Sequence, residues 1–127
     1  MSASRPAATA GIGARPSATA TDILALIRCA EALSGHRVAR LAVPEFRRGL
    51  PALEEVAADL GVGIELIGQD ALLATQHRCP TRSEAALRAT GLASVAEGCA
   101  LAAGGVLILP RIDGPGVTCA LSSGAGA

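Results

Sequence analysis

The chain has no lysine, no tryptophan and no tyrosine, a single phenylalanine (Phe46), and no net charge, its 11 basic residues matching 11 acidic ones. Each absence excludes something. Without lysine there is no Schiff-base chemistry, and every cationic contact to an anion falls to arginine, whose planar guanidinium grips carboxylates in a two-pronged fashion. A balanced charge offers no basic excess to gather phosphates, and the missing aromatics remove stacking platforms, so nucleic acid is not an expected partner. Long hydrophobic runs are missing too. The longest, Cys99 to Leu109, is about half the roughly 20 residues that a membrane-spanning helix needs, and Gly104-Gly105 interrupts it. The four cysteines (Cys29, Cys79, Cys99, Cys119) never form a C-x-x-C pair, which argues against a structural zinc, and no metal site is expected. Residues 1–10 lack the apolar segment of a secretory signal. The expectation is a cytoplasmic protein whose cysteines are reduced and mostly serve as small buried hydrophobes.

What is present is an apolar half (50%) built from Ala, Val, Leu and Ile, enough for the core of one domain. Residues 1–6 read as a flexible leader, 7–122 as a single domain and 123–127 as a flexible tail. Ala7–Gly13 reads as a strand. A helix follows from Thr19 or Thr21, with Ile23, Leu26, Ile27, Ala30 and Leu33 at helical spacing, closed by Ser34-Gly35. Val38–Val43 is a strand stopped by Pro44. Pro51 opens a second helix that Gly61 ends, and Val62–Ile67 is a third strand. A short helical turn, Asp70–Thr75, precedes a polar break over 76–82. Ser83 and Ser94 start two more helices, to Ala89 and Ala103. A hairpin finishes the domain, with strands 106–112 and 117–121 around a turn at Asp113–Gly116. The fold class is α/β: a mixed, mostly parallel sheet of about five strands flanked by helices and ending in a β-hairpin.

Few residues advertise chemistry. Gly11-Ile-Gly13 between strand and helix invites a dinucleotide-binding reading, but Pro16 stands where the third glycine is needed. Both glycines suit a close approach of ligand to backbone, and Arg15 beside them can hold a carboxylate. His77 and Cys79 share one loop without the H-x-E and P-C-x-x-C of a zinc deaminase. Thr81, Ser83 and Ser94 stand at helix starts, where unpaired N–H groups can receive an anion or simply be capped. Glu97, three residues after Ser94, completes a capping box. Arg111 ends an apolar strand, where α/β proteins place ligand groups.

Together these segments carry a resemblance. Gly11-Ile-Gly-Ala-Arg15, Thr81-Arg-Ser83-Glu84, Thr90-Gly91-Leu-Ala-Ser94-Val-Ala-Glu97 and Val117-Thr118, in this order, resemble the CobE family, which is homologous to the C-terminal domain of CbiG; both belong to cobalamin biosynthesis. The resemblance spans residues 8–122. It implies an α/β domain that handles a precorrin or corrin intermediate. In the fused protein the activity is opening of the cobalt-precorrin-5A lactone with release of acetaldehyde, whereas stand-alone CobE-like proteins accompany the aerobic pathway. With room for one domain, this chain resembles the stand-alone form. Two departures matter. Ala14 replaces a frequent Cys, and Arg111 replaces the usual Lys, so covalent chemistry gives way to binding.

The implied binding residues are Gly11, Gly13, Arg15, Thr81, Ser83, Ser94, Arg111 and Thr118. If hydrolysis occurs, Glu97 and His77 are the implied general bases. Carrier and hydrolase therefore both stand as expectations. The corrinoid itself is the only ligand implied, with no separate cofactor, and other enzymes of the pathway are the implied protein partners.

Overall fold

Ala7–Ala14 (β1) and Ala20–Ser34 (α1) open the computed structural model, which describes residues 5–123. Thr19 caps α1 by accepting the Asp22 N–H at 3.1 Å. The chain continues through Arg37–Pro44 (β2), a 3-10 turn at Glu45–Arg47, Pro51–Leu60 (α2), Gly63–Ile67 (β3) and Gln69–Thr75 (α3). A second 3-10 turn at Gln76–Arg78 leads to Glu84–Thr90 (α4), Val95–Ala103 (α5), Leu107–Gly114 (β4) and Val117–Ser123 (β5). Most of the expected leader and tail, residues 1–4 and 124–127, lie outside the described residues.

The five strands form one sheet in the order β3-β2-β1-β5-β4. The expectation of a mostly parallel sheet is corrected here. β1 pairs parallel with β2, and β2 with β3, but β5 runs antiparallel to both β1 and β4, giving two ladders of each kind. The reason is where the hairpin docks: β5 inserts beside β1, with Ala14 opposite Val117 and Ala8 opposite Ser123, instead of extending an edge. The hairpin turn is also tighter than expected, since β4 runs on to Gly114 and only Pro115 and Gly116 connect the strands. Gly116 takes φ 70°, a left-handed conformation that favours glycine.

The side-chain period of β1 divides the core. Ala10 and Ile12 face α1 and α2, packing with Leu41, Val43, Ile23, Ile27, Leu53 and Val56. The opposite face is lined by small residues, and α5 lies on it through Ala96 and Ala100 against Ala120, beside a neighbouring cluster of Ala42, Cys99 and Leu72. Gly11 makes this approach possible. A Cβ there would lie 2.5 Å from the Ala100 backbone nitrogen and closer still to the Ala96 carbonyl oxygen. The far end of α5 is tied down by Arg40, which donates to Thr9 Oγ1 at 2.9 Å, to Glu65 Oε1 at 2.6 Å and to the Ala103 carbonyl. A cation suits that carboxyl end of a helix.

Only two of the four cysteines are buried hydrophobes. Cys119 and Cys99 lie in the core, and burial pushes the Cys119 thiol up to about 12 and that of Cys99 higher still. Cys79 is half-buried and Cys29 exposed, so the expectation of mostly buried cysteines is only half met. Among the described residues no helix is long and apolar enough to cross a membrane.

Gly11→Ala drives a methyl into helix backbone that cannot yield and is expected to destabilise the fold by about 2 kcal/mol or more. Gly63→Ala, which meets nothing within 4 Å, changes stability by less than about 0.5 kcal/mol. Urea unfolding midpoints of the two variants check this.

Candidate functional site

Glu97 lies in the third position of α5 and is fully buried. Its Oε1 accepts the Thr81 N–H and the Ser94 hydroxyl, both at 2.9 Å. Its Oε2 accepts the Thr81 hydroxyl at 2.8 Å and the Arg111 N–H at 2.9 Å. Burial by itself would raise the pKa. The N–H groups of Arg111 and Thr81 and the hydroxyls of Thr81 and Ser94 outweigh it, and the carboxyl is held below its ordinary value. Every lone-pair direction is used, so Glu97 ties the 79–83 segment, the start of α5 and β4 into one unit.

The capping box read from Ser94 and Glu97 does not form. The Ser94 hydroxyl donates to Glu97 instead of capping the helix. Its backbone N–H goes to Gln76 Oε1 at 3.0 Å, and its carbonyl accepts from Gln76 Nε2 at 3.0 Å. Long-range partners displace the local ones. Gln76 was invisible in the sequence because its partner is 18 residues away.

On the outer side of this unit opens a cleft of about 1100 Å³. It lies beyond the carboxyl ends of β1 and β2, where open α/β sheets place ligands. Its apolar surface comes from α4, Pro44, Phe46, Val95 and Val117. Its charges are Arg15, Arg47 and Arg111, with Asp113 as the acidic member. The volume exceeds the roughly 300–1,000 Å³ typical of drug-sized ligands.

Arg111 forms an ion pair with Asp113, its buried Nε 3.1 Å from Oδ1, without a hydrogen bond to Nε among the described residues. Arg47 is fixed: its Nε donates to the Ala14 carbonyl at 2.7 Å, and its guanidinium carbon lies 4.8 Å from the centre of the Phe46 ring. Arg15 is exposed on the β1–α1 connection, its backbone N–H bonded to Gly116.

The residues singled out from sequence therefore fall into two groups. Gly13, Arg15, Ser83, Arg111 and Thr118 meet in the cleft. Thr118 donates to the Gly13 carbonyl at 3.4 Å, and Ser83 caps α4 by accepting the Ala86 N–H at 3.1 Å. Gly11, Thr81, Ser94 and Glu97 lie outside its lining, spent on packing and on the Glu97 cluster. His77 is exposed on the second 3-10 turn, also away from the lining. Cys79 next to it has its thiol pushed up, chiefly by burial. Phe46 and Arg47 are among the cleft residues that were not site candidates in the sequence. Their signal was faint: a lone aromatic followed by two arginines after a strand-ending proline.

Glu97→Gln sets an amide N–H₂ against N–H donors and is expected to cost about 3 kcal/mol. The folded pKa of Glu97 lies below its ordinary 4.5, so its stabilisation is complete above that pH and is lost as pH falls through the folded value. Denaturant unfolding of both proteins between neutral and acid pH checks this. The gap should be widest near neutrality and shrink below about pH 4.

Comparison with known proteins agrees with this architecture. A family model described as "Cobalamin synthesis G C-terminus" matches residues 8–122. No curated protein matches the chain. The crystal structure of CobE, a protein from the cobalamin (vitamin B12) biosynthetic pathway, superposes with a TM-score of 0.82 at 30% identity, covering 90% of this chain and 87% of that one. The cobalamin biosynthesis protein chiG from Agrobacterium tumefaciens str. C58 does so with a TM-score of 0.73 at 34% identity, covering 94% and 99%. Match and superposition run nearly end to end, and the chain belongs to the CobE and CbiG C-terminal family of cobalamin biosynthesis proteins.

Proposed function

We propose that this protein binds a precorrin or corrin intermediate in the cleft and acts as its carrier, not as a hydrolase. The observation that carries the reading is the cleft's composition: apolar walls of a size for a macrocycle, with three arginines on its lining. A corrin intermediate is a flat apolar ring with acetate and propionate arms. The walls would take the ring face, and guanidinium groups would take the arms. Arg111 is paired with Asp113 through Nε alone, and among the described residues its two terminal nitrogens have no hydrogen-bond partner, which leaves them for such an arm.

The hydrolase alternative, lactone opening with acetaldehyde release, would need a base at the cleft. Glu97 has its lone pairs committed to four donors, and neither it nor His77 lines the cleft. Both sides of the chemistry favour holding the ligand over converting it.

Titration with hydrogenobyrinic acid is expected to change the visible absorption of the corrinoid with one-to-one saturation. Arg111→Ala removes the side chain but keeps the N–H that Glu97 holds, so it should weaken binding about tenfold without unfolding the protein. Arg15→Ala should weaken it less, as an exposed group. No spectral change at any ratio would contradict the reading. Acetaldehyde release from a lactone-bearing precorrin-5A-type substrate would replace the carrier by the hydrolase.

A further inference from the structure

Arg47 is held in a way that Arg15 and Arg111 are not. Its Nε is committed to the Ala14 carbonyl, and its guanidinium is stacked beside the Phe46 ring. Among the described residues its two terminal nitrogens have no hydrogen-bond partner and no acidic neighbour within ion-pair distance. A guanidinium fixed at one edge and free at the other is preorganised for an anion, because its rotamer entropy is already spent.

The rest of the cleft sharpens what kind of anion. Among the described residues its other polar side chains are the hydroxyls of Ser17, Ser83, Thr90 and Thr118, and Asp113 is its single carboxylate, placed against Arg111. No Asn or Gln lines it. A carboxylate arm finds charged donors here. A carboxamide arm is neutral, so the three guanidinium groups of the lining give it no charge-assisted pair.

On this basis, and resting on the reading of the cleft as a macrocycle site, we propose that Arg47 is a carboxylate clamp. With Arg15 and Arg111, it makes the cleft selective for a macrocycle whose arms are free acids over the same macrocycle with amidated arms. The ligand class is thus a polycarboxylate ring, and conversion of its arms to amides would release it. The Phe46 ring, 44% exposed in the same cleft, keeps Arg47 in place and offers a face to the macrocycle edge.

The test compares hydrogenobyrinic acid with the same ring carrying its arms as primary carboxamides, each titrated into the wild-type protein and into Arg47→Gln, Arg47→Lys and Arg48→Gln. Arg48 is the control for charge alone: it is exposed, paired with Glu45 at 3.5 Å, and does not line the cleft. The wild type should bind the acid at least about tenfold more tightly than the amide. Arg47→Gln should lose about tenfold for the acid and nothing for the amide, Arg47→Lys should fall between, and Arg48→Gln should match the wild type. Equal wild-type affinity for acid and amide would overturn the selectivity while leaving the cleft as a corrinoid site. Equal losses in Arg47→Gln and Arg48→Gln would reduce the effect to bulk charge and overturn the clamp. Binding of neither ring would remove this inference together with the function it rests on.

Discussion

A buried carboxylate with no cation partner among the described residues holds the cleft end of this protein together. Glu97 gathers donors from Thr81, Ser94 and Arg111, which belong to three segments. Charge-assisted hydrogen bonds of this kind are among the strongest that a fold can make, and a buried anion demands all of them. The consequence is geometric. The Arg111 backbone is fixed by its N–H, and the segment leading to Ser83 and α4 is fixed by Thr81. α4 has no buried residue of its own. Its position therefore depends on the segments that Glu97 anchors, and with it one wall of the cleft.

The lack of aromatics and the abundance of small residues become intelligible on the α5 face. Helix and sheet meet through Gly11, Ala42, Ala96, Ala100 and Ala120, so the layers lie close and leave no space for rings. The single phenylalanine is placed outside this core, at the cleft, where Phe46 pairs with Arg47. Arginine suits the same place, since its planar guanidinium stacks on the Phe46 ring.

Much of this was legible in the sequence, and the rest was hidden for a definite reason. The Thr19 cap, Pro51 at the start of α2 and the apolar spacing of α1 are local signals, and they placed the helices within a residue or two. The docking of β5 beside β1 joins residues such as Gly13 and Thr118 that are far apart in the chain, and no local period announces it. The same holds for the site. Ser94-Val-Ala-Glu97 has the spacing of a capping box, yet donors 14 and 16 residues away from Glu97 claim its side chain. Arg47 resembled any loop arginine until the turn at Glu45–Arg47 carried it back to Ala14. Of the eight binding residues that the family resemblance implied, Gly13, Arg15, Ser83, Arg111 and Thr118 line the cleft, beside Phe46 and Arg47, whereas Gly11, Thr81 and Ser94 do not.

The most direct measurement is a map of where a corrinoid acid touches the folded chain, by backbone amide NMR of the ¹⁵N-labelled protein titrated with hydrogenobyrinic acid. The account predicts shifts at Gly13, Arg15, Arg47, Arg111 and Thr118, with Gly35 and Val106 at the other end of the sheet unmoved. Shifts centred on that other end, or none at saturating ligand, would contradict it.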